Sequence, residues 1–258
     1  MPRDTAFFIT HMPLDGPAFA AVVAAEIGYA IEVVDAYTGA PLPFHAGRRD
    51  VVVVMGGSMG VADLGNPAFP WLQPVVDLLR ARLQMNAPVL GICLGCQLLA
   101  HAAGGRVFPM RDGAGNRVWE VGWDTLQMNA DACREIPGLP QQVDTLQWHG
   151  DACSLPPGAR LLASSPVCEV QMFRLGASVG IQFHPEVDAP MALEWAREDA
   201  QFVRTALGPA GVERVIRQTR ETGVRSDASR RQLFEAVFAG FRRGGGMGFE
   251  HNPRPPCL

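Results

Sequence analysis

Four consecutive valines, Val51 to Val54, followed by Met55, form a β-branched run with no polar alternation. A strand with one face in water alternates apolar and polar residues, so this run belongs to a parallel strand covered on both faces. Two further segments read the same way, Ala6 to Thr10 (AFFIT) and Pro88 to Ile92 (PVLGI), and Ala30 to Ala36 (AIEVVDA) reads as another strand. Helical patterns separate them. One follows the Asp15-Gly16-Pro17 turn and runs through Ile27. A second carries Trp71, Leu72, Val75, Val76, Leu78, Leu79 and Leu83, and a third runs from Leu98 to the Gly104-Gly105 stop. Alternating strand and helix predicts an α/β fold: an open, mostly parallel sheet flanked by helices, a three-layer flavodoxin-like sandwich. Its binding crevice then lies at the carboxyl ends of the strands.

From Arg106 to Phe183 the texture changes to short strands between turns, at Thr125 to Met128, Val143 to Trp148, Leu161 to Ser164, Glu169 to Leu175 and Ser178 to Phe183. These are expected to be antiparallel ribbon added to the same domain. Helix resumes over Pro190 to Leu207, Val212 to Thr222 and Ser229 to Phe241; the last aligns Leu233, Phe234, Val237, Phe238 and Phe241 on one face, as core packing requires. One domain over residues 1–243 is expected, with a core at 5–202 and a helical extension at 203–243. The Gly- and Pro-rich segment 244–258 is expected to be disordered.

Composition narrows the chemistry. The chain contains no lysine; all 22 basic residues are arginine, which removes an intrinsic Schiff-base lysine and the lysine of a phosphate-binding P-loop. A net charge of −4 and a pI near 5.9 supply no basic field, so no nucleic acid and no membrane partner is expected. Residues 1–4 carry no secretory pattern, the apolar stretch Ala18 to Ala25 is far short of the about 20 residues of a membrane span, and the six cysteines show no disulfide framework. A reducing cytoplasm is the expected setting.

Two segments have the form Gly-x-nucleophile-x-Gly directly after an apolar strand: Gly56-Gly57-Ser58-Met59-Gly60 and Gly91-Ile92-Cys93-Leu94-Gly95. Such a turn pushes the nucleophile into the crevice while glycines tolerate the tight backbone. Context separates the two. Cys93 runs straight into helix-forming sequence, so its sulfur sits at a helix N-terminus that favours thiolate; Ser58 is followed by loop. A serine hydrolase built on Ser58, with an acid such as Asp144 or Asp151 and then His184, is the rival reading. The glycine turn suits an oxyanion hole instead, and Gly57 N–H and Leu94 N–H are assigned to it. For the base, His184 ends an apolar strand, Pro185 stops that strand, and Glu186 is two residues on, where its carboxylate can fix the imidazole tautomer.

The pair GICLGCQ (Gly91 to Gln97) and QFHPE (Gln182 to Glu186) resembles the signature of the class I glutamine amidotransferases. The turn at Gly56 to Gly60 and the stretch Gln147-Trp148-His149-Gly150-Asp151 add to the likeness, which covers roughly Thr5 to Phe202. The resemblance implies a Cys93-His184-Glu186 triad, a γ-glutamyl thioester on Cys93, and substrate binding by Gly56, Gln97, Trp148 and His149. It implies no cofactor and no metal. The partner it implies is a small-molecule γ-glutamyl substrate such as glutamine. Cys96 stands where histidine is common in the motif and creates a C-x-x-C spacing with Cys93, although a dithiol mechanism has no use for His184 or Glu186. With no ATP-binding loop in the sequence, ammonia would pass to a separate synthetase subunit, or the protein simply hydrolyses γ-glutamyl compounds; the second is favoured. A subunit that binds γ-glutamyl ligands without turnover is the non-enzymatic alternative.

Overall fold

In the computed structural model, which describes residues 3–223 and 225–244, the first half of the chain alternates as its pattern predicts. Its elements are β1 (Thr5–Thr10), α1 (Ala18–Ile27), β2 (Ala30–Asp35), β3 (Val51–Val54), α2 (Leu72–Gln84), β4 (Val89–Ile92) and α3 (Leu94–Ala102). The second half contributes β5 (Val107–Pro109), β6 (Glu120–Gln127), α4 (Ala132–Glu135), β7 (Gln142–His149), β8 (Asp151–Cys153), β9 (Arg160–Ala163), β10 (Met172–Leu175) and β11 (Ser178–Ile181). The helices α5 (Ala189–Glu198), α6 (Ala200–Leu207), α7 (Gly211–Gln218) and α8 (Asp227–Gly244) follow.

Seven strands form one sheet of order β2-β1-β3-β4-β11-β10-β9, in which β2, β1, β3, β4 and β11 are joined by parallel pairings. All four valines of β3 are fully buried, and helices cover the sheet on both sides. The apolar face of α8, with Leu233, Phe234, Val237 and Phe238, packs into the same core cluster as Phe8, Val53 and Ile92. Residues 245–258, where a disordered tail is expected, lie outside the described residues.

The second half is antiparallel as expected in β6 with β7, β5 with β8, β9 with β10 and β10 with β11, but part of it does not stay a separate ribbon. Among the described residues, the pairs β6 with β7 and β5 with β8 are the separate antiparallel ribbons. Arg160–Ala163, Met172–Leu175 and Ser178–Ile181 join the main sheet, and β11 lies parallel to β4, Val179 opposite Leu90 and Ile181 opposite Ile92. Every residue of β11 is buried, which suits a central parallel strand. Gly180 makes the fit possible, since a Cβ there would lie 2.3 Å from the Phe173 ring and 3.0 Å from Cys96 Sγ. The helix expected over Pro190 to Leu207 breaks at Asp199, whose side chain turns away to accept the Trp148 indole N–H at 3.0 Å. The strands β5 and β8 carry too short a pattern to be read from sequence, three residues each.

Candidate active site

Among the described residues, Cys93 is one of three non-glycines with a positive φ. Its φ of 51° and ψ of −104° lie outside the favoured wells of an L-residue, a conformation that costs on the order of 1–3 kcal/mol and persists only where its surroundings impose it. Those surroundings are on both sides. Cys93 N–H donates to Ile181 O on β11 at 2.8 Å, Cys93 O accepts from Gln97 N–H at 3.1 Å, and Gly95 N–H donates to Met55 O at 3.2 Å. Helix α3 is pressed so closely onto β3 and β4 that only glycine fits at two positions. A Cβ on Gly91 would stand 2.4 Å from Gly95 O, and one on Gly95 only 2.0 Å from Val54 O.

His184 reaches the same point from the end of β11. Its N–H donates to Leu146 O at 2.9 Å, its ring stands edge-on to Trp195 with centroids 4.9 Å apart, and its Nδ1 lies 2.7 Å from Glu186 Oε1. The other ring nitrogen is not engaged by Glu186, and the Cys93 side chain stands close enough to act on the charge of the imidazole. Both His184 and Glu186 are buried. Burial opposes a charged imidazole, yet Glu186 on one side and Cys93 on the other hold the His184 pKa well above its ordinary value. Of the predicted triad residues, then, all three meet, although Cys93 and His184 are 91 residues apart in sequence.

The glycine turn after β3 lines the same crevice. A Cβ on Gly56 would lie 3.1 Å from His184 Cε1 and 3.9 Å from Cys93 Cβ, so this glycine leaves room beside Cys93. Among the described residues, neither Gly57 N–H nor Leu94 N–H has a backbone acceptor; Leu94 opens α3, where a helix has no acceptor of its own to offer. Gln97 is buried and donates to Asp151 O at 3.3 Å and Gln182 Oε1 at 3.2 Å, tying α3 to the strands around it. Trp148 packs against Trp195 and Phe202. The His149 ring turns into the protein, with Nδ1 3.0 Å from Asp151 O and Nε2 3.1 Å from Gln147 Oε1. Ser58 is exposed at the bend that precedes a short 3-10 turn over Val61–Asp63.

Two groups at this site were not legible as functional. Asp15, which reads simply as part of a turn, has its Oδ2 3.8 Å from where a Gly56 Cβ would be. Burial pushes its pKa up to about 6; His184 draws it down, and Glu186 and Asp199 push it further up. A carboxyl that binds its proton more tightly folded than unfolded has no net effect below its unfolded pKa and penalises the fold above its folded one. Asp15→Asn is therefore expected to raise stability by up to about 2 kcal/mol above pH 7 and to change it little near pH 4, a difference readable from melts across that range. His11, at the end of β1, accepts the Trp71 indole N–H on Nδ1 at 3.2 Å, and burial lowers its pKa to about 4. It is thus a neutral ring protonated on Nε2, packed beneath Gly57, whose Cβ would lie 3.2 Å from that of His11.

Glu120, His149 and Cys168 bring their donor atoms within 4.8 Å of one another, as a metal site would. The Glu120 oxygens are already taken up by Ser165 Oγ at 2.6 Å, Gln171 Nε2 at 2.6 Å and His149 Nε2 at 3.1 Å, and burial pushes the Cys168 thiol up to about 12. That is a closed hydrogen-bonded knot behind β7. Cys96 points away from Cys93 into the opposite core, where its thiol, raised well above its usual pKa by burial, meets Cys153.

The family model of the class I glutamine amidotransferases matches residues 21–192. Among curated proteins, the chain is 36% identical over 132 residues to the glutamine-hydrolysing GMP synthase of Streptococcus thermophilus, which covers 50% of this chain and 24% of that protein. It is 37% identical over 138 residues to the corresponding enzyme of Thermomicrobium roseum, covering 53% and 23%. The chain thus spans about a quarter of the length of these relatives. Among solved structures, a glutamine amidotransferase from Methylobacillus flagellatus superposes with a TM-score of 0.77 at 25% identity, over 98% of this chain and all of that one. One from Thermotoga maritima gives 0.76 at 25% identity over 92% and 99%. With two-thirds of its length matched by the family and the same fold throughout, this chain belongs to the class I glutamine amidotransferases.

Proposed function

We propose that the protein hydrolyses the γ-amide of glutamine, or of a γ-glutamyl compound, through a thioester on Cys93. The observation that carries this is the buried line from Cys93 through His184 to Glu186, with Glu186 2.7 Å from the Nδ1 that does not face the sulfur. His184 holds the proton taken from Cys93 as imidazolium, and the sulfur attacks the amide carbon. The oxygen that becomes negative is met by Gly57 N–H and Leu94 N–H. His184 then gives its proton to the departing nitrogen, so ammonia or an amine leaves and the thioester remains. Water attacks that thioester, His184 takes up a proton from it, and the carboxylate product departs as Cys93 is restored.

Gly56 leaves the space the substrate enters, Gln97 braces the elbow, and the Trp148-His149 backbone lies where the amino-acid end of a glutamine-like substrate is held. Residues 1–243 are read as one catalytic domain, with a core at 5–202 and 203–243 as a helical extension of it. GMP synthases carry a glutamine-hydrolysing activity by name, which supports glutamine as substrate and a separate synthetase as the recipient of ammonia. The triad alone serves a free-standing γ-glutamyl hydrolase equally well. Incubating the chain with glutamine and with a panel of γ-glutamyl amides and peptides separates the two, by ammonia released from the first or amine from the second. A diazoketone analogue of glutamine is expected to add one equivalent to Cys93, read by intact mass. No adduct and no turnover on any of these would leave a γ-glutamyl binding subunit as the better description.

A further inference from the structure

The segment that carries Glu186 belongs to no helix and no strand, so its position depends on what holds its backbone. Three successive carbonyls there each have a donor from elsewhere in the chain. Pro185 O accepts from Arg230 Nη1 at 3.0 Å, Glu186 O accepts from Phe19 N–H at 3.2 Å, and Val187 O accepts from the same Arg230 nitrogen. Arg230 lies on α8 and is 1% exposed. Its guanidinium is ion-paired to Asp227 and lies over the rings of Phe19 at 5.3 Å and Trp123 at 5.7 Å. Desolvating a guanidinium is costly unless its N–H groups are used, and the two carbonyls it grips are those on either side of Glu186.

We propose that Arg230 is a positioning residue for the hydrolytic site: by clamping Pro185 and Val187 it sets the direction of the Glu186 carboxylate toward His184. Helix α8 lies beyond residues 21–192, the part matched by the family, so the extension becomes part of the catalytic apparatus of this chain. Phe19 completes the clamp from α1, and the same ring supports the guanidinium, so the two helices hold the segment together. The inference rests on the Cys93-His184-Glu186 reading above.

The test uses the full chain with Arg230→Met and Arg230→Lys, assayed on whichever γ-glutamyl compound turns over, with the rate of Cys93 alkylation by the diazoketone as a second readout. With the clamp gone, Glu186 no longer holds the imidazolium, so kcat is expected to fall about 30- to 100-fold with KM altered less than about threefold. The alkaline limb of the kcat profile moves to lower pH, because His184 loses the partner that raises its pKa. Arg230→Lys, which keeps the charge but can satisfy fewer carbonyls, should recover part of both effects.

Phe238→Leu loosens the same helix without touching residues 185–187. It is expected to lower the melting temperature while leaving kcat and the alkaline limb in place. A wild-type kcat and limb in Arg230→Met overturns the proposal, and so does a loss of the same size in Phe238→Leu, which would make the effect one of helix docking alone. Should Arg230→Met fail to fold, Arg230→Lys decides by the same two readouts. Glu186→Gln is assayed alongside. A wild-type pH profile for that variant would sink the triad reading itself, whatever Arg230 does.

Discussion

Alanine in place of Cys93 is expected to lower turnover of γ-glutamyl substrates by roughly 10⁴- to 10⁶-fold, the loss that follows removal of a covalent nucleophile whose partners act as a unit. Ser58→Ala, by contrast, should stay within a few-fold of wild type. Both residues sit in glycine turns after buried strands, and from sequence His184 suits either. The folded chain separates them. Cys93 is the N-cap of α3, strained into the crevice beside His184, whose imidazole charge it helps to hold. Ser58 is exposed, and the turn around it presents Gly56 to His184 instead. Parallel assays of ammonia or amine release by the two variants decide the matter; activity that survives loss of Cys93 and disappears with Ser58 would reverse the assignment.

Adding a single methyl group at Gly95 is expected to destabilise the protein by about 3 kcal/mol or more, above the usual range for overpacking. The reason is the partner of the clash. A Cβ at this position would come within 2.0 Å of the Val54 carbonyl oxygen, which is backbone in the middle of the sheet and cannot rotate away as a side chain would. Relief requires α3 to lift off β3, which breaks the Gly95 N–H bond to Met55 O and moves Cys93 with it. Urea unfolding of Gly95→Ala against wild type measures the cost. Alanine at Gly104, a positive-φ glycine with open space around it, is a fair comparison, because there only the backbone preference is lost. A smaller loss at Gly95 than at Gly104 would mean that the elbow is not held as tightly as described.

Much of the site was readable in short stretches of chain because its chemistry is local there. The valine run, the glycine spacing around Cys93 and the two-residue step from His184 to Glu186 are each dictated by a backbone geometry spanning a few residues. The parallel strands of the first half, the helix that follows the nucleophile and the apolar face of the last helix were legible for the same reason. The helix break at Asp199 was not. There the Asp199 side chain accepts an indole N–H from Trp148, 51 residues away. Asp15 was likewise hidden, since a carboxylate in a turn is unremarkable until Gly56 and His184 fold against it.

The sequence alone determined most of the strands of the main sheet, which cysteine follows a glycine turn into a helix, and which histidine has a carboxylate two residues on. Tertiary structure decided that β11 lies parallel to β4, in the centre of the sheet, and that step is what brings His184 to Cys93. It also decided that α8 returns to place Arg230 behind Glu186. The physical reason is range. Periodicity and turn chemistry record the surroundings of a few neighbouring residues, whereas strand order and a buried guanidinium are settled by which distant surfaces lose the most water together.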